Sequence, residues 1–139
     1  MRKSEILDLQ WSCVDFTQKY IDVLQTKSGK PRQIPMSERL YNTLNEQKRI
    51  NEYVFINPST KNRHGNINDI FPDFLKKAEV KNFRFHDLRH TAATRMVEKG
   101  ADLVVVKDIL GHADINITMR YAHPVPEMKL KAIKALNDY

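Results

Sequence analysis

Apolar residues recur at helical spacing along much of the chain, with short polar turns between the helical stretches. The clearest pattern predicts a helix from His86 to a glycine stop at Gly100. Its apolar side is formed by Leu88, Ala92, Met96 and Val97. A second helix is predicted to begin after an N-cap at Asp102 and to end at Gly111. Its buried stripe is formed by Leu103, Val106, Ile109 and Leu110.

Shorter helices are predicted around this pair. One starts near Ser4, and Ser37 caps another. Asp114 is the predicted N-cap of a short helix that carries Tyr121 near its end. A further helix over residues 68–78 is predicted to bury one apolar stripe, formed by Ile70, Phe71, Phe74 and Leu75.

From Trp11 onwards the apolar pattern changes to the alternation that is typical of strands. It continues through Val23, turns at Ser28-Gly29 and returns through Arg32 to Pro35. This predicts a small antiparallel sheet, and the loop of its hairpin carries Lys27, Lys30 and Arg32. Together with the helices, the sheet predicts an α+β domain that is mainly α-helical.

Composition and charge narrow the class of protein. A chain of 139 residues with 41% hydrophobic and 29% charged residues is typical of one globular domain. No apolar run is long enough to span a membrane, and the lone Cys13 fits a reducing cytoplasm. The net charge of +6 favours a polyanionic partner such as nucleic acid.

Four chemically active side chains fall at predicted helix starts or ends, namely His86, Arg89, His112 and Tyr121. The first two are three residues apart and share one face of a helix. A guanidinium presents a planar pair of donors to phosphate oxygens, an imidazole adds a donor, and a phenol is a nucleophile once its proton is removed. The set therefore suits the cleavage of a phosphodiester.

The order and spacing of these residues resemble the tyrosine recombinase (phage integrase) family. Residues 86–90 are HDLRH, a Leu-Gly pair precedes His112, and Tyr121 lies nine positions after that histidine. In the family, the His-x-x-Arg pair, the histidine after Leu-Gly and the tyrosine are catalytic. The resemblance implies that residues 1–139 form a catalytic domain of this family, mainly α-helical with a small three-stranded antiparallel sheet.

The same resemblance implies two further catalytic residues. Residues 1–5, MRKSE, match the family's Gly-Leu/Met-Arg-x-Ser-Glu segment except for the leading glycine, which makes Arg2 the first phosphate-clamping arginine. The family carries a catalytic lysine on the hairpin, where Lys27 matches and Lys30 is the alternative. Family members have helices and a DNA-clamping domain upstream, so we expect a fragment. Arg2 at its frayed end would be poorly placed, and one alternative is that the fragment is inactive by itself.

Five cations outside the central stretch are candidate contacts to DNA phosphates, namely Lys30, Arg32, Lys61, Arg63 and Arg84. Charges on loops often serve only to keep the loop solvated. The resemblance favours DNA contact and implies double-stranded DNA as substrate, with other recombinase protomers as partners in a tetramer on the DNA. It also implies a bacterial or phage origin and a cytoplasmic, nucleoid-associated location, with no membrane partner.

The reaction that the resemblance implies uses no metal and no cofactor. Tyr121 would attack a DNA phosphate and form a 3′-phosphotyrosyl link with a free 5′ hydroxyl, so that rejoining needs no ATP. The two arginines would neutralise the phosphate, with His112 as a further donor. Lys27 would protonate the departing 5′ oxygen. His86 would either accept the tyrosine proton or orient the phosphate, and the sequence does not separate these roles.

Two other functions fit parts of the pattern. His86 and His90 have a spacing that is used for zinc, with His112 as a third ligand. However, Arg89 between them would repel a dication, so His90 is interpreted as a structural hydrogen-bonding residue. Alternatively, the predicted helices before and after His112 could form a non-catalytic, helix-turn-helix-like DNA-binding module.

The C-terminal residues 127–139 are predicted to form a separate amphipathic tail helix. Its apolar side is formed by Leu130, Ala132, Ile133 and Leu136. This side must be buried somewhere. It would dock on a neighbouring protomer, as the terminal helix often does in the family, or pack on its own domain.

Overall fold

The computed structural model describes residues 1–24, 30–122 and 126–138. Lys27, the predicted catalytic lysine, lies outside the described residues. The chain divides into two compact units, Met1–Arg89 and His90–Tyr139. We describe each unit separately.

The first unit contains the predicted three-stranded antiparallel sheet, with its strands in the order β1 (Val14–Asp15), β2 (Tyr20–Val23) and β3 (Arg32–Pro35). Ile21 of β2 pairs with Ile34 of β3 and is buried. The strand pattern begins later than the sequence suggested, because Trp11–Cys13 form a 3₁₀ turn.

The core of the first unit joins the sheet to the neighbouring helices. Its buried members are Leu9, Val14, Ile21, Val23, Met36, Leu44 and Val54. Helix α1 (Lys3–Leu7) buries Leu7. Helix α2 (Glu38–Asn45) begins where predicted, because the Ser37 hydroxyl accepts a hydrogen bond of 3.3 Å from the Leu40 amide.

The predicted buried stripe at residues 68–78 is wrong. The segment forms a 3₁₀ turn (Ile67–Asp69) and helix α3 (Phe71–Lys77), which contains no buried residue. Phe74 is 59% exposed. The rings of Phe71 and Phe85 pack edge to face, with their centroids 5.3 Å apart. Helical spacing places apolar residues on one face, but it does not say whether a neighbouring element covers that face.

Helix α4 (Phe85–Glu98) contains the boundary between the units. Two of the four predicted apolar positions are not buried, since Leu88 is 47% exposed and Ala92 is exposed. Val97 is buried as predicted, and Met96 packs against the core of the second unit. The buried apolar positions of α4 are Ala93 and Val97, so the small Ala93 rather than Ala92 faces that core.

The second unit continues with α5 (Leu103–Leu110), α6 (Ile115–Met119), α7 (Pro126–Lys134) and a final 3₁₀ turn (Ala135–Asp138). Its core is formed by Ala93, Val97, Val106 and Leu110. In the part of the chain that the structure describes, no helix is long and apolar enough to cross a membrane.

The ends of the helices in the second unit follow from local chemistry. The Asp102 carboxylate accepts a hydrogen bond of 2.7 Å from the Val104 amide and caps α5 as predicted. Gly100 and Gly111, with φ of 85° and 68°, adopt the left-handed conformation that favours glycine. Helix α6 ends before Tyr121. The Tyr121 amide donates a hydrogen bond of 3.0 Å to the Thr118 carbonyl, so the tyrosine lies in the turn after the helix.

Candidate active site

Arg2 is held at the start of α1 by the carboxylate of Glu5. Its guanidinium donates to Glu5 Oε1 at 2.9 Å, and its backbone amide donates to Glu5 Oε2 at 2.6 Å. Glu5 thus satisfies an orphan amide at the helix start and fixes the direction of the Arg2 side chain.

Arg32 binds the same carboxylate from β3. Its Nη2 lies 2.7 Å from Glu5 Oε2 and its Nη1 lies 3.1 Å from Glu5 Oε1. The two side chains are only 6% and 3% exposed. Arg32 was predicted to contact DNA, but the structure places its guanidinium on a buried carboxylate. This placement favours a role in positioning Glu5 and, through it, Arg2.

The pKa of Glu5 reflects these contacts. Burial opposes ionisation of the carboxyl group, but the side-chain hydrogen bond from Arg32 and the hydrogen bonds from Arg2 outweigh it and lower the pKa to about 2. Glu5 is therefore ionised at neutral pH, and it holds two guanidinium groups in place.

Arg89 is buried, with 8% of its surface exposed. Arg89, Glu5, Arg32 and Arg2 all act electrostatically on the backbone nitrogen of Met1. Arg89 and the ion cluster of Glu5 thus lie near the same end of α1. The first unit therefore gathers both predicted phosphate-clamping arginines.

His86 lies exposed in the first turn of α4. Asp87 fixes the start of this helix. Its carboxylate accepts a hydrogen bond of 2.8 Å from the Arg84 amide and another of 3.0 Å from the Arg84 guanidinium. Asp87 raises the pKa of Arg84. The Arg84 side chain is nonetheless 81% exposed, so it remains available to a phosphate.

In the second unit, His112 is fixed at both its backbone and its ring. It follows Gly111, and its amide donates a hydrogen bond of 3.0 Å to the Lys107 carbonyl. Its Nδ1 lies 2.8 Å from the hydroxyl of Thr118, which is fully buried. This contact with a buried hydroxyl helps to orient the imidazole.

Tyr121 contacts two imidazoles of the second unit. The ring of His112 stacks on its ring, with centroids 6.5 Å apart and planes at 11°. The Tyr121 hydroxyl forms a hydrogen bond with His90 Nδ1. Sequence reasoning gave His90 only a structural role, because no spacing rule connects it to a tyrosine 31 positions away.

The remaining candidate DNA contacts differ in their surroundings. Lys30 and Lys61 are exposed. Arg63 forms an ion pair with Asp8, and both side chains are partly exposed. His64 of the same loop is half-buried. Arg63 is therefore committed in part to tying its loop to the end of α1.

The two alternative functions gain little from this geometry. Among the residues that the structure describes, no group of three His, Cys, Asp or Glu side chains could hold a metal ion. His90 and His112 instead contact Tyr121. Helix α6, the second helix of the helix-turn-helix-like pair, has only five residues, little more than one turn.

Comparisons with known proteins point in one direction. Residues 1–128 match the profile of the phage integrase family. The chain is 31% identical to the shufflon-specific DNA recombinase of Escherichia coli, over 88% of this chain and 31% of that protein. It is 28% identical to the tyrosine recombinase XerA of Pyrococcus furiosus, over 99% of this chain and 50% of that protein. The catalytic domain of bacteriophage HP1 integrase superposes with a TM-score of 0.72 at 31% identity, over 96% of this chain and 73% of that structure. The chain thus spans a third to a half of these curated relatives.

Proposed function

Because this chain belongs to the phage integrase family, we propose that it is the catalytic domain of a site-specific DNA recombinase. It cleaves and rejoins DNA strands through a 3′-phosphotyrosyl intermediate. The observation that carries the proposal is the setting of Tyr121, whose hydroxyl is hydrogen-bonded to one imidazole while its ring packs on another. The shufflon-specific relative, named a DNA recombinase, supports DNA as the substrate.

The roles of the side chains follow from the charge that develops during attack. When the Tyr121 oxygen adds to phosphorus, negative charge grows on the non-bridging oxygens. Arg2 and Arg89 neutralise that charge, and His112 donates a further hydrogen bond. Lys27 protonates the departing 5′ oxygen as general acid. The bond energy stays in the protein–DNA ester, so rejoining needs no ATP. The guanidinium groups supply the positive charge, so the proposed mechanism uses no metal and no cofactor.

Arginines suit this reaction because the guanidinium remains charged at all working pH values and binds two phosphate oxygens at once. The carboxylate of Glu5 orients Arg2 through a bond of 2.9 Å. The Arg2 side chain is therefore already ordered before DNA binds, and less conformational entropy is lost on binding.

We further propose that the protein acts as a multimer, a tetramer on DNA, with α7 and the final 3₁₀ turn docking on a neighbouring protomer. Leu130, Ile133 and Leu136 are each at least 56% exposed. An apolar side left open on an amphipathic helix favours exchange over packing on its own unit. As a DNA recombinase, the protein works at the nucleoid of a bacterial or phage-infected cell.

The proposal is tested by trapping the covalent intermediate. In a pool of nicked duplexes with randomised sequence on both sides of the nick, the short fragment that carries the new 5′ hydroxyl diffuses away. A protein–DNA adduct therefore accumulates and survives detergent on a gel. Wild-type protein should form the adduct, and Tyr121→Phe should bind DNA nearly as well without forming it. Binding by both proteins without any adduct would favour the non-catalytic DNA-binding module.

A further inference from the structure

His90 contacts the reacting atom of Tyr121. Its Nδ1 forms the hydrogen bond to the tyrosine hydroxyl, and the two rings are tilted by 42° with centroids 5.8 Å apart. His112 meets Tyr121 differently, because its ring is parallel to the phenol and its Nδ1 is engaged by Thr118. Of these two imidazoles, His90 is the one placed to exchange a proton with the nucleophile.

We propose that His90 accepts the phenolic proton of Tyr121 during DNA cleavage. This inference rests on the proposed function and adds a proton acceptor to it. As the bond from the Tyr121 oxygen to phosphorus forms, the proton moves to His90 Nδ1 and the bond from phosphorus to the 5′ oxygen breaks. The electron pair of that bond leaves with the 5′ oxygen, which takes a proton from the general acid. During rejoining, His90 returns its proton to the departing phenolate.

The chemistry of the imidazole suits this role. A neutral histidine that carries its hydrogen on Nε2 has a lone pair on Nδ1. An imidazole can accept a second proton there at a pH near neutral. A phenol holds its proton more tightly than an imidazolium does, so transfer must accompany formation of the bond to phosphorus. The ester oxygen that results is no longer basic, which makes the transfer favourable.

The surroundings of the pair also favour proton transfer. His90 is exposed, so an acquired proton can exchange with water between cleavage and rejoining. Tyr121 is half-buried and packs on the core of the second unit, which limits its motion. Its amide is tied to the Thr118 carbonyl at 3.0 Å. The hydroxyl is thereby kept within reach of the acceptor before DNA binds.

This assignment separates the two roles that the sequence left open for His86. If His90 takes the proton, His86 is left to orient the phosphate as a hydrogen-bond donor. The two histidines then serve different atoms of one reaction, the phenol oxygen and a phosphate oxygen.

The test compares three variants in single-turnover formation of the covalent adduct on the nicked duplex pool. His90→Ala removes the base, and His90→Asn places an amide near the position of Nδ1, where it can hydrogen-bond but cannot accept a proton. Both should slow adduct formation by roughly 100-fold or more. The control Glu98→Ala, an exposed position on the same helix, should react like wild type. Thermal unfolding by circular dichroism verifies that each variant is folded.

The outcomes separate this inference from the proposed function. If wild type forms the adduct and His90→Ala is within about threefold of it, His90 is not the proton acceptor and the recombinase assignment stands. If His90→Asn alone recovers the wild-type rate, the residue only positions the hydroxyl, which also overturns the proposal. If wild type forms no adduct, the proposed function and the role of His90 are both wrong.

Discussion

Arg32 and Glu5, which lie 27 positions apart, are joined by two parallel hydrogen bonds of 2.7 and 3.1 Å. The same carboxylate also binds the backbone and side chain of Arg2. A single buried anion thus links the sheet to the start of α1. The direction in which Arg2 points depends on a residue that does not itself contact DNA in the proposed mechanism.

Removing the charge of Glu5 should therefore affect both stability and activity. In Glu5→Gln, two guanidinium groups lose their shared anion, and we expect a loss of roughly 3 kcal/mol in the free energy of unfolding. Urea denaturation measures this loss. Glu46→Gln, which changes an exposed glutamate of the same unit, is the matched control and should stay near wild type. Equal stability of the two variants would show that the buried cluster is not a structural element.

Stability should also depend on pH through Glu5. Its pKa in the folded protein is about 2, below the ordinary value of 4.5. The unfolded chain therefore binds a proton more readily, and the contribution of Glu5 is fully present above about pH 4.5 and disappears as the pH falls towards 2. The difference in unfolding free energy between wild type and Glu5→Gln should shrink over this range. A difference that stays constant from pH 6 to about pH 2.5 would contradict the assigned pKa.

The hydroxyl of Thr118 should control the orientation of His112. Thr118→Val keeps the shape of this buried side chain but removes the partner of His112 Nδ1. We expect adduct formation to slow by roughly fivefold, which corresponds to about 1 kcal/mol for one lost hydrogen bond. Thr118→Ser retains the hydroxyl and should keep most of the rate. The hydrogen bond has no role in cleavage if Thr118→Val reacts as fast as Thr118→Ser.

The apolar side formed by α7 and the final 3₁₀ turn should control self-association. Replacing Leu130, Ile133 and Leu136 with serine should leave a monomer at every concentration, whereas wild type should associate as its concentration rises. Gel filtration over a dilution series measures this difference. Replacing Lys129 and Lys134, exposed residues of the same helix, with serine provides the control. A wild-type protein that is monomeric throughout the series would argue against exchange of the tail.

The parts of the fold that were predictable depend on local chemistry. The caps at Ser37 and Asp102 and the stop at Gly111 each involve residues within a few positions of one another, so the sequence alone locates them. The small antiparallel sheet and the mainly helical class are confirmed for the same reason. The tyrosine recombinase family is also confirmed, because its motif is a fixed order of residue types.

The failures concern contacts between distant parts of the chain. The apolar rows of α3 and α4 could not be assigned to a core or a surface from spacing alone, since that depends on which element packs against them. The hydrogen bond of His90 to Tyr121 and the ion pair of Arg32 with Glu5 cross 31 and 27 positions. No local pattern signals either pair, although the resemblance marks Tyr121 as catalytic and Glu5 binds Arg2, which it also marks as catalytic.

The central claim is that Tyr121 is the nucleophile, and mass spectrometry of the trapped adduct tests it most directly. After nuclease digestion of the DNA, the protein is cleaved with trypsin, and the residue that carries the 3′-linked nucleotide is located by fragmentation of the modified peptide. The chain contains five tyrosines. The account predicts that the nucleotide is attached to Tyr121 alone, whereas attachment to another tyrosine or to a serine would contradict it.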